Sequence, residues 1–192
     1  MKRTTAIAVA VAFAAGGLIG ALAYTAIVLP DKGRSVAVTA SRPVWKEVQW
    51  PFAMDQWGRG KAYQCKAADC GVEVNLYFRA KIGFCNCTTG VADDPELERV
   101  SDRVLIGSAP AAAGPGREIK VAWMKGRSRA YTGVNYFPAG STALLIAYNE
   151  RCDVVVATAV VAGKDPTLLE PAVLDFLNSG PVMRWAERTL GP

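Results

Sequence analysis

The chain has 192 residues, a formal net charge of +5 and no histidine. A chain of this length accommodates one domain of ordinary size. The lack of histidine excludes Ser-His-Asp and Cys-His nucleophilic sites, HExxH metalloproteases, histidine-ligated zinc or copper, and c-type haem attachment. Of the 22 basic residues, Lys2 and Arg3 belong to an apolar N-terminal segment, which leaves 20 against 17 acidic ones. Such a small excess gives no indication of nucleic-acid binding.

Residues 1–30 form the predicted targeting segment, because Lys2-Arg3 precedes an uncharged, mostly apolar run. As a signal peptide, the run contains Ala21-Leu22-Ala23, which fits the small-x-small rule for cleavage before Tyr24. As a signal anchor, it exceeds the roughly 20 residues that a transmembrane helix needs. We favour the anchor, because the sequence stays apolar beyond the cleavage site. Both interpretations export the domain, either to the periplasmic face of a bacterial inner membrane or, after cleavage, to the periplasm.

The remainder predicts a polar linker at 31–43 and one periplasmic domain at 44–192. In this domain a Trp-rich stretch at 44–63 predicts loops and short extended pieces. Alternating apolar and polar residues from Gly71 to Cys87 predict a long strand with one polar face. Asp93, followed by Pro95, predicts the start of a short helix.

The second half of the domain predicts two hairpins followed by two helices. The first hairpin is predicted to turn around Lys125-Gly126-Arg127, and the second has strands that are apolar on both faces. Prolines in a first turn predict the helices. The segments are Glu118–Met124 with Ser128–Val134, Thr142–Tyr148 with Val154–Ala162, Pro171–Asn178 and Pro181–Leu190. Their order predicts an α+β fold, a mostly antiparallel sheet with short helices packed on it.

All five cysteines, Cys65, Cys70, Cys85, Cys87 and Cys152, are disulfide candidates, because exported cysteines usually form bridges. Cys65 and Cys70 flank a short loop and can reach each other. If 72–84 is one strand, Cys70 and Cys85 lie too far apart for a bridge. Either Cys85 or Cys87 can then meet Cys152, which leaves one thiol free. A bridge between Cys85 and Cys87 is possible but closes a small, strained ring. The alternative is a thiol-redox or copper(I) site that uses Cys85 and Cys87 together.

A basic stretch in the first hairpin and two tryptophans before it are the candidates for partner binding. The basic stretch could bind an anionic lipid, glycan or protein surface, or it could be a charged edge strand protected from aggregation. On either interpretation, reversing Arg127 and Arg129 to Glu is expected to leave folding nearly unchanged. Exposed tryptophan is enriched at interfaces, although tryptophans also close the ends of cores. The candidates are Lys120, Trp123, Lys125, Arg127, Arg129, Tyr131, Trp50 and Trp57.

The stretches Trp50–Trp57, Cys65–Cys87, Trp123–Tyr131 and Arg151–Asp153 resemble those of a family of uncharacterised exported bacterial proteins. The resemblance implies export and carries over no activity and no functional residue.

Together these observations favour an accessory or binding domain, membrane-anchored and stabilised by disulfides, with a protein partner or a membrane complex. They predict no catalytic residues, no metal, no cofactor and no nucleic acid. A carboxylate-based hydrolase is the remotest alternative, because no paired-acid motif is present.

Overall fold

The structure, a computed structural model, describes residues 43–191. The predicted targeting segment at 1–30 and all of the predicted linker except Pro43 lie outside the described residues. Eight strands form one sheet in which every pairing is antiparallel. They are β1 (Trp45–Val48), β2 (Lys61–Cys65), β3 (Val74–Lys81), β4 (Ala111–Ala112), β5 (Arg117–Val121), β6 (Met124–Thr132), β7 (Ser141–Glu150) and β8 (Asp153–Ala162).

The sheet order is β1-β2-β3-β8-β7-β6, and β4 and β5 both pair with the free side of β6. Short helices accompany the sheet: α1 (Ala67–Cys70), α2 (Asp94–Val100), α3 (Glu170–Leu177) and α4 (Gly180–Leu190). The predicted α+β fold with a mostly antiparallel sheet is therefore confirmed for the described residues. Strands β7 and β8 lie at the centre and are buried on both faces, as their continuous apolar sequence predicts.

The two faces of the sheet are covered differently. Helices α3 and α4 pack on one face over a core that includes Phe78, Ile146 and Val155. On the other face, residues that include Ile106, Tyr131 and Leu145 form a second apolar cluster. Helix α2 also lies on this second face and contributes to a third cluster. It begins as predicted, because the Asp93 side chain accepts a hydrogen bond from the backbone N–H of Glu96 at 2.8 Å.

Strand β3 corrects the prediction of one solvent-facing side. It is shorter than 71–87, and its polar row is covered: Tyr77, Arg79 and Lys81 are all buried. The physical reason is that the Trp-rich loop and the segment after α2 both contact Arg79.

The first hairpin also differs from its prediction, because its turn is Ala122-Trp123 rather than Lys125-Gly126-Arg127. Gly126 is a turn signal in the sequence, but in the structure it lies inside β6. A Cβ atom at this position would overlap the carbonyl oxygen of Ala147 on β7. The glycine therefore permits close approach of two backbones instead of forming a turn.

Candidate binding surface

The turn between β5 and β6 is held in place from two sides. Ala122 has a left-handed backbone, with φ of 51°, which is uncommon for a residue with a side chain. Its backbone N–H donates to Asn178 Oδ1 at 2.5 Å, just beyond the end of α3. The indole Nε1 of Trp123 donates to Glu150 Oε2 at 2.7 Å. The turn is thus a preformed feature of the surface.

Two lysines face each other across this turn. Lys120 on β5 pairs in register with Lys125 on β6, and both side chains are exposed. Like charges directly opposite each other in an antiparallel pair are destabilising. Among the described residues, no carboxylate lies within ion-pair distance of either ammonium group.

A third cation lies at the same end of the sheet. Lys125 pairs in register with Asn149, so the β5–β6 turn lies beside the Arg151-Cys152 turn that joins β7 to β8. Arg151 is exposed, has φ of 53°, and has no ion pair within the described part of the chain. We call the set Lys120, Ala122, Trp123, Lys125 and Arg151 the tip surface.

Trp123 provides the apolar part of the tip surface. Its side chain is 54% exposed, although tryptophan is usually well buried. Trp123 forms one wall of a neighbouring groove of about 470 Å³, which Met124, Ala186 and Leu190 line together with the carboxylate residues Glu150 and Glu187. The end of the sheet therefore presents the Trp123 ring on the α4 face and the cations Lys120 and Lys125, without ion-pair partners in the described residues, on the α2 face. This arrangement can bind an anionic partner, and it brings together three of the predicted residues: Lys120, Trp123 and Lys125.

Arg127 and Arg129 do not belong to this surface. Strand β6 is not an edge strand, since β7 lies on one side of it and β4 and β5 on the other. The two guanidinium groups point towards α2 and form ion pairs with Asp94 and, at 2.8 Å, with Glu98. Their side chains are only 17% and 19% exposed. The interpretation as a solvated edge therefore does not hold for β6, although β5, which carries Lys120, is an edge strand. Because Arg127 and Arg129 are paired and mostly buried, we now expect charge reversal to destabilise the fold.

Tyr131 is also internal. It is fully buried, and its hydroxyl donates to Glu98 Oε1 at 3.2 Å. Burial raises the pKa of this phenol to about 12. Hydrogen bonds from Gly116 and Arg127 hold the pKa of Asp94 below its usual value. The acidic helix and the basic strand, which look like separate features in the sequence, neutralise each other.

Trp50 and Trp57 are half-buried and cover the buried cations of β3. The centroid of each indole lies 5.8 Å from a cation, Arg79 for Trp50 and Lys81 for Trp57. The two tryptophans thus contribute to packing over the end of β3 and lie apart from the tip surface.

Arg79 is the centre of a charge network that sequence reasoning missed. Its guanidinium donates two hydrogen bonds to Asp102, at 2.7 and 2.8 Å, and two to Asp55 at the same distances. It also donates to the carbonyl oxygen of Gly58 at 3.2 Å. Lys81 completes the network by contacting Asp102 at 2.9 Å and donating to the Val100 carbonyl at 2.6 Å.

This network connects three segments of the chain that are distant in sequence. Both cations are almost completely buried, and burial lowers the pKa of Lys81. Hydrogen bonds from Arg79 hold the pKa of Asp55 below its usual value. Since every N–H of the guanidinium has a partner, we assign Arg79 a structural role. The only sequence signal was two cations at alternate positions of a strand otherwise rich in apolar residues.

Two disulfides confirm the prediction of bridges. Cys65 is bonded to Cys70, with Cα atoms 6.0 Å apart, and Cys87 is bonded to Cys152, with Cα atoms 4.2 Å apart. Of the two cysteines that could meet Cys152, the structure thus selects Cys87. Cys85 is a buried free thiol, and burial raises its pKa to about 11.

Two kinds of feature are absent from the described residues. Within residues 43–191, no set of three or more Cys, Asp or Glu side chains is arranged to hold a metal ion. In the same residues, no helix has the length and apolar character needed to cross a bilayer.

Comparisons of the chain with models of protein families, with curated proteins and with solved structures gave no match. The resemblance to exported bacterial proteins therefore stays a prediction.

Proposed function

We propose that this chain is an exported, membrane-anchored accessory domain that binds an anionic partner on the periplasmic side through its tip surface. The observation that carries the proposal is the pair Lys120 and Lys125, which have no ion-pair partner among the described residues and lie at the same end of the sheet as the exposed Trp123. Two disulfides are compatible with an oxidising compartment, because bridges persist outside the cytosol.

Packing within the domain does not require the composition of the tip surface, although Lys120 also protects the edge strand β5 from pairing with another chain. Opposed lysines, a left-handed Ala122 and an exposed tryptophan each reduce the stability or the solubility of an isolated domain. Local features that break such rules together are expected at functional sites. Elsewhere in the same hairpin the chain neutralises its cations, since Arg127 and Arg129 both pair with carboxylates.

The thiol-redox or copper(I) alternative has no specific observation in its favour. Such a site needs Cys85 and Cys87 accessible together, with at least one thiolate near neutral pH. The sulfur of Cys87 is committed to the bridge with Cys152. Cys85 is buried, with its pKa displaced away from neutrality.

Affinity capture from solubilised native membranes tests the proposal. The tagged full chain is compared with Lys120→Gln/Lys125→Gln and with the control Lys46→Gln/Lys66→Gln. The control removes the same charge from two exposed lysines outside the tip surface. We expect a component, protein or lipid, that is captured by the wild type and the control and is lost with the tip variant. Equal capture by all three chains would contradict the proposal.

A further inference from the structure

We infer that the partner of the tip surface is an anionic lipid surface, which the tip contacts at the level of the headgroups. The inference rests on the proposed function and names its ligand by class. Charge complementarity is the first argument, because Lys120, Lys125 and Arg151 lie at one end of the sheet without ion-pair partners in the described residues.

The type of cation favours lipid over an acidic protein. Arginine binds carboxylates in a fixed, bidentate geometry and is enriched in protein interfaces, whereas lysine is depleted there. Arg127 and Arg129 both pair with carboxylates of α2, although Lys81 also contacts the buried carboxylate of Asp102. The chain places lysines on both sides of the tip. A long, flexible ammonium side chain suits phosphate groups in a fluid surface, where no fixed geometry has to be matched.

The apolar component fits the same ligand. Tryptophan is enriched where a bilayer meets water, because its ring is apolar and its N–H requires a hydrogen-bond acceptor. Glu150 already accepts the hydrogen bond from the Trp123 N–H, so the exposed part of the ring can enter the headgroup region without an unpaired donor. Ile82, directly after β3 at the same end of the sheet, is also 54% exposed.

The tip does not need to be ordered on binding. Its backbone is fixed by the hydrogen bond from Ala122 to Asn178, and its indole by the bond to Glu150. A preorganised contact loses little conformational entropy when it binds. A small surface with few cations can therefore give measurable affinity for an anionic bilayer.

Vesicle binding tests the inference with the full chain held in zwitterionic nanodiscs. The nanodisc accommodates the N-terminal segment, so that added vesicles report on the domain. The added vesicles contain either phosphatidylcholine alone or about 30% phosphatidylglycerol, since acidic headgroups supply the attraction. We expect binding to the anionic vesicles only, and weaker binding as the salt concentration rises.

Matched variants locate the contact. Lys120→Gln/Lys125→Gln is expected to weaken binding about 30-fold, from about five-fold for each lysine. Trp123→Ala is expected to weaken it about ten-fold through lost apolar contact. The controls are Lys46→Gln/Lys66→Gln and Tyr136→Ala, which change exposed side chains elsewhere and should change binding less than two-fold. Unchanged thermal unfolding midpoints show that every variant is folded.

Two outcomes would overturn the inference. One is that the wild-type chain does not bind the anionic vesicles, and the other is that the tip variants and the control variants lose the same amount of vesicle binding. Either outcome can be separated from failure of the proposed function. If the chain does not bind the anionic vesicles, but a membrane protein captured by the wild type is not captured by the tip variant, the partner is an acidic protein and the proposed binding function stands. If the tip variant loses nothing in either experiment, both proposals fail.

Discussion

The row of basic residues along one face of β6 divides into two regions with opposite roles. Arg127 and Arg129 lie under α2, where Asp94 and Glu98 neutralise them. Lys125, two residues earlier on the same face, faces Lys120 at the tip and has no carboxylate within ion-pair distance in the described residues. The difference shows that the role of a basic residue on β6 depends on whether an acidic helix packs over it. Where α2 packs, the cation is neutralised within the fold; where it does not, the cation stays available to a partner.

The largest expected effect on the free energy of unfolding comes from replacing Arg79, a cation that is even more buried than Arg127 and Arg129. Arg79→Ala should lower the free energy of unfolding by about 3–5 kcal/mol, because the buried carboxylate of Asp102 would lose both of its hydrogen bonds to the guanidinium. Chemical denaturation measures the change. Asp55→Asn is the matched control with a smaller loss, because the Asp55 side chain is 47% exposed. If Arg79→Ala lowers the free energy of unfolding by less than about 1 kcal/mol, the structural role assigned to Arg79 is wrong.

The two disulfides lie at opposite ends of the sheet, Cys87–Cys152 at the tip end and Cys65–Cys70 at the other end. Replacing Cys87 and Cys152 by Ala should lower the free energy of unfolding by about 4 kcal/mol, because this bridge closes the longer loop. Replacing Cys65 and Cys70 should cost about 2 kcal/mol, because these cysteines have a sequence separation of only 5. Urea unfolding of the two double variants compares them directly. The reverse ranking would contradict the connectivity.

The free thiol gives a separate test of that connectivity. Cys85 should resist alkylation in the native protein at pH 8, because its pKa is about 11 and thiolate forms only as the pH rises towards that value. In urea, without reductant, exactly one thiol should react. Mapped alkylation by mass spectrometry identifies it. Two reactive thiols, at Cys85 and Cys87, would instead favour the redox or copper(I) site.

Charge reversal tests the two regions of the basic row against each other. Arg127→Glu/Arg129→Glu should lower the free energy of unfolding by about 2–3 kcal/mol, because like charges would face α2 across a mostly buried contact. Lys120→Glu/Lys125→Glu should change it by no more than about 0.5 kcal/mol. If chemical denaturation shows the same change in the free energy of unfolding for both double variants, the two regions of the basic row do not differ in role.

The smallest effect concerns the backbone of the tip. Ala122→Gly should raise the free energy of unfolding by about 0.5 kcal/mol, because glycine adopts a positive φ without strain. Arg151→Gly, at the equivalent position of the neighbouring turn, is the matched comparison. A decrease in the stability of the Ala122 variant, measured by thermal unfolding, would show that the left-handed conformation is not strained.

Features that depend on neighbouring residues were predictable from the sequence. Asp93 and Pro95 specify a helix start by local hydrogen bonding and a restricted φ, and the apolar runs of β7 and β8 indicate central strands. Cys65 and Cys70 are close in the chain, so their bridge was also predictable.

Features that depend on distant segments were not predictable. Gly126 looks like a turn residue, and only the proximity of β7 explains its place within a strand. The partners of Arg79 lie 23 and 24 residues away along the chain, so nothing local indicates its burial. The candidate site was predicted in part: Lys120, Trp123 and Lys125 form the tip, but the sequence could not separate them from Arg127 and Arg129.

Photo-crosslinking in the native membrane tests the central claim, that the tip surface is where this domain meets its partner. A photoreactive amino acid replaces Trp123 in one chain and Tyr136, which is 61% exposed, in a control chain. We predict a defined adduct at position 123 that disappears with Lys120→Gln/Lys125→Gln, and none of comparable yield at position 136. The mass of the adduct identifies lipid or protein. Equal labelling at both positions, or an adduct at 123 that persists without the lysines, would contradict the account.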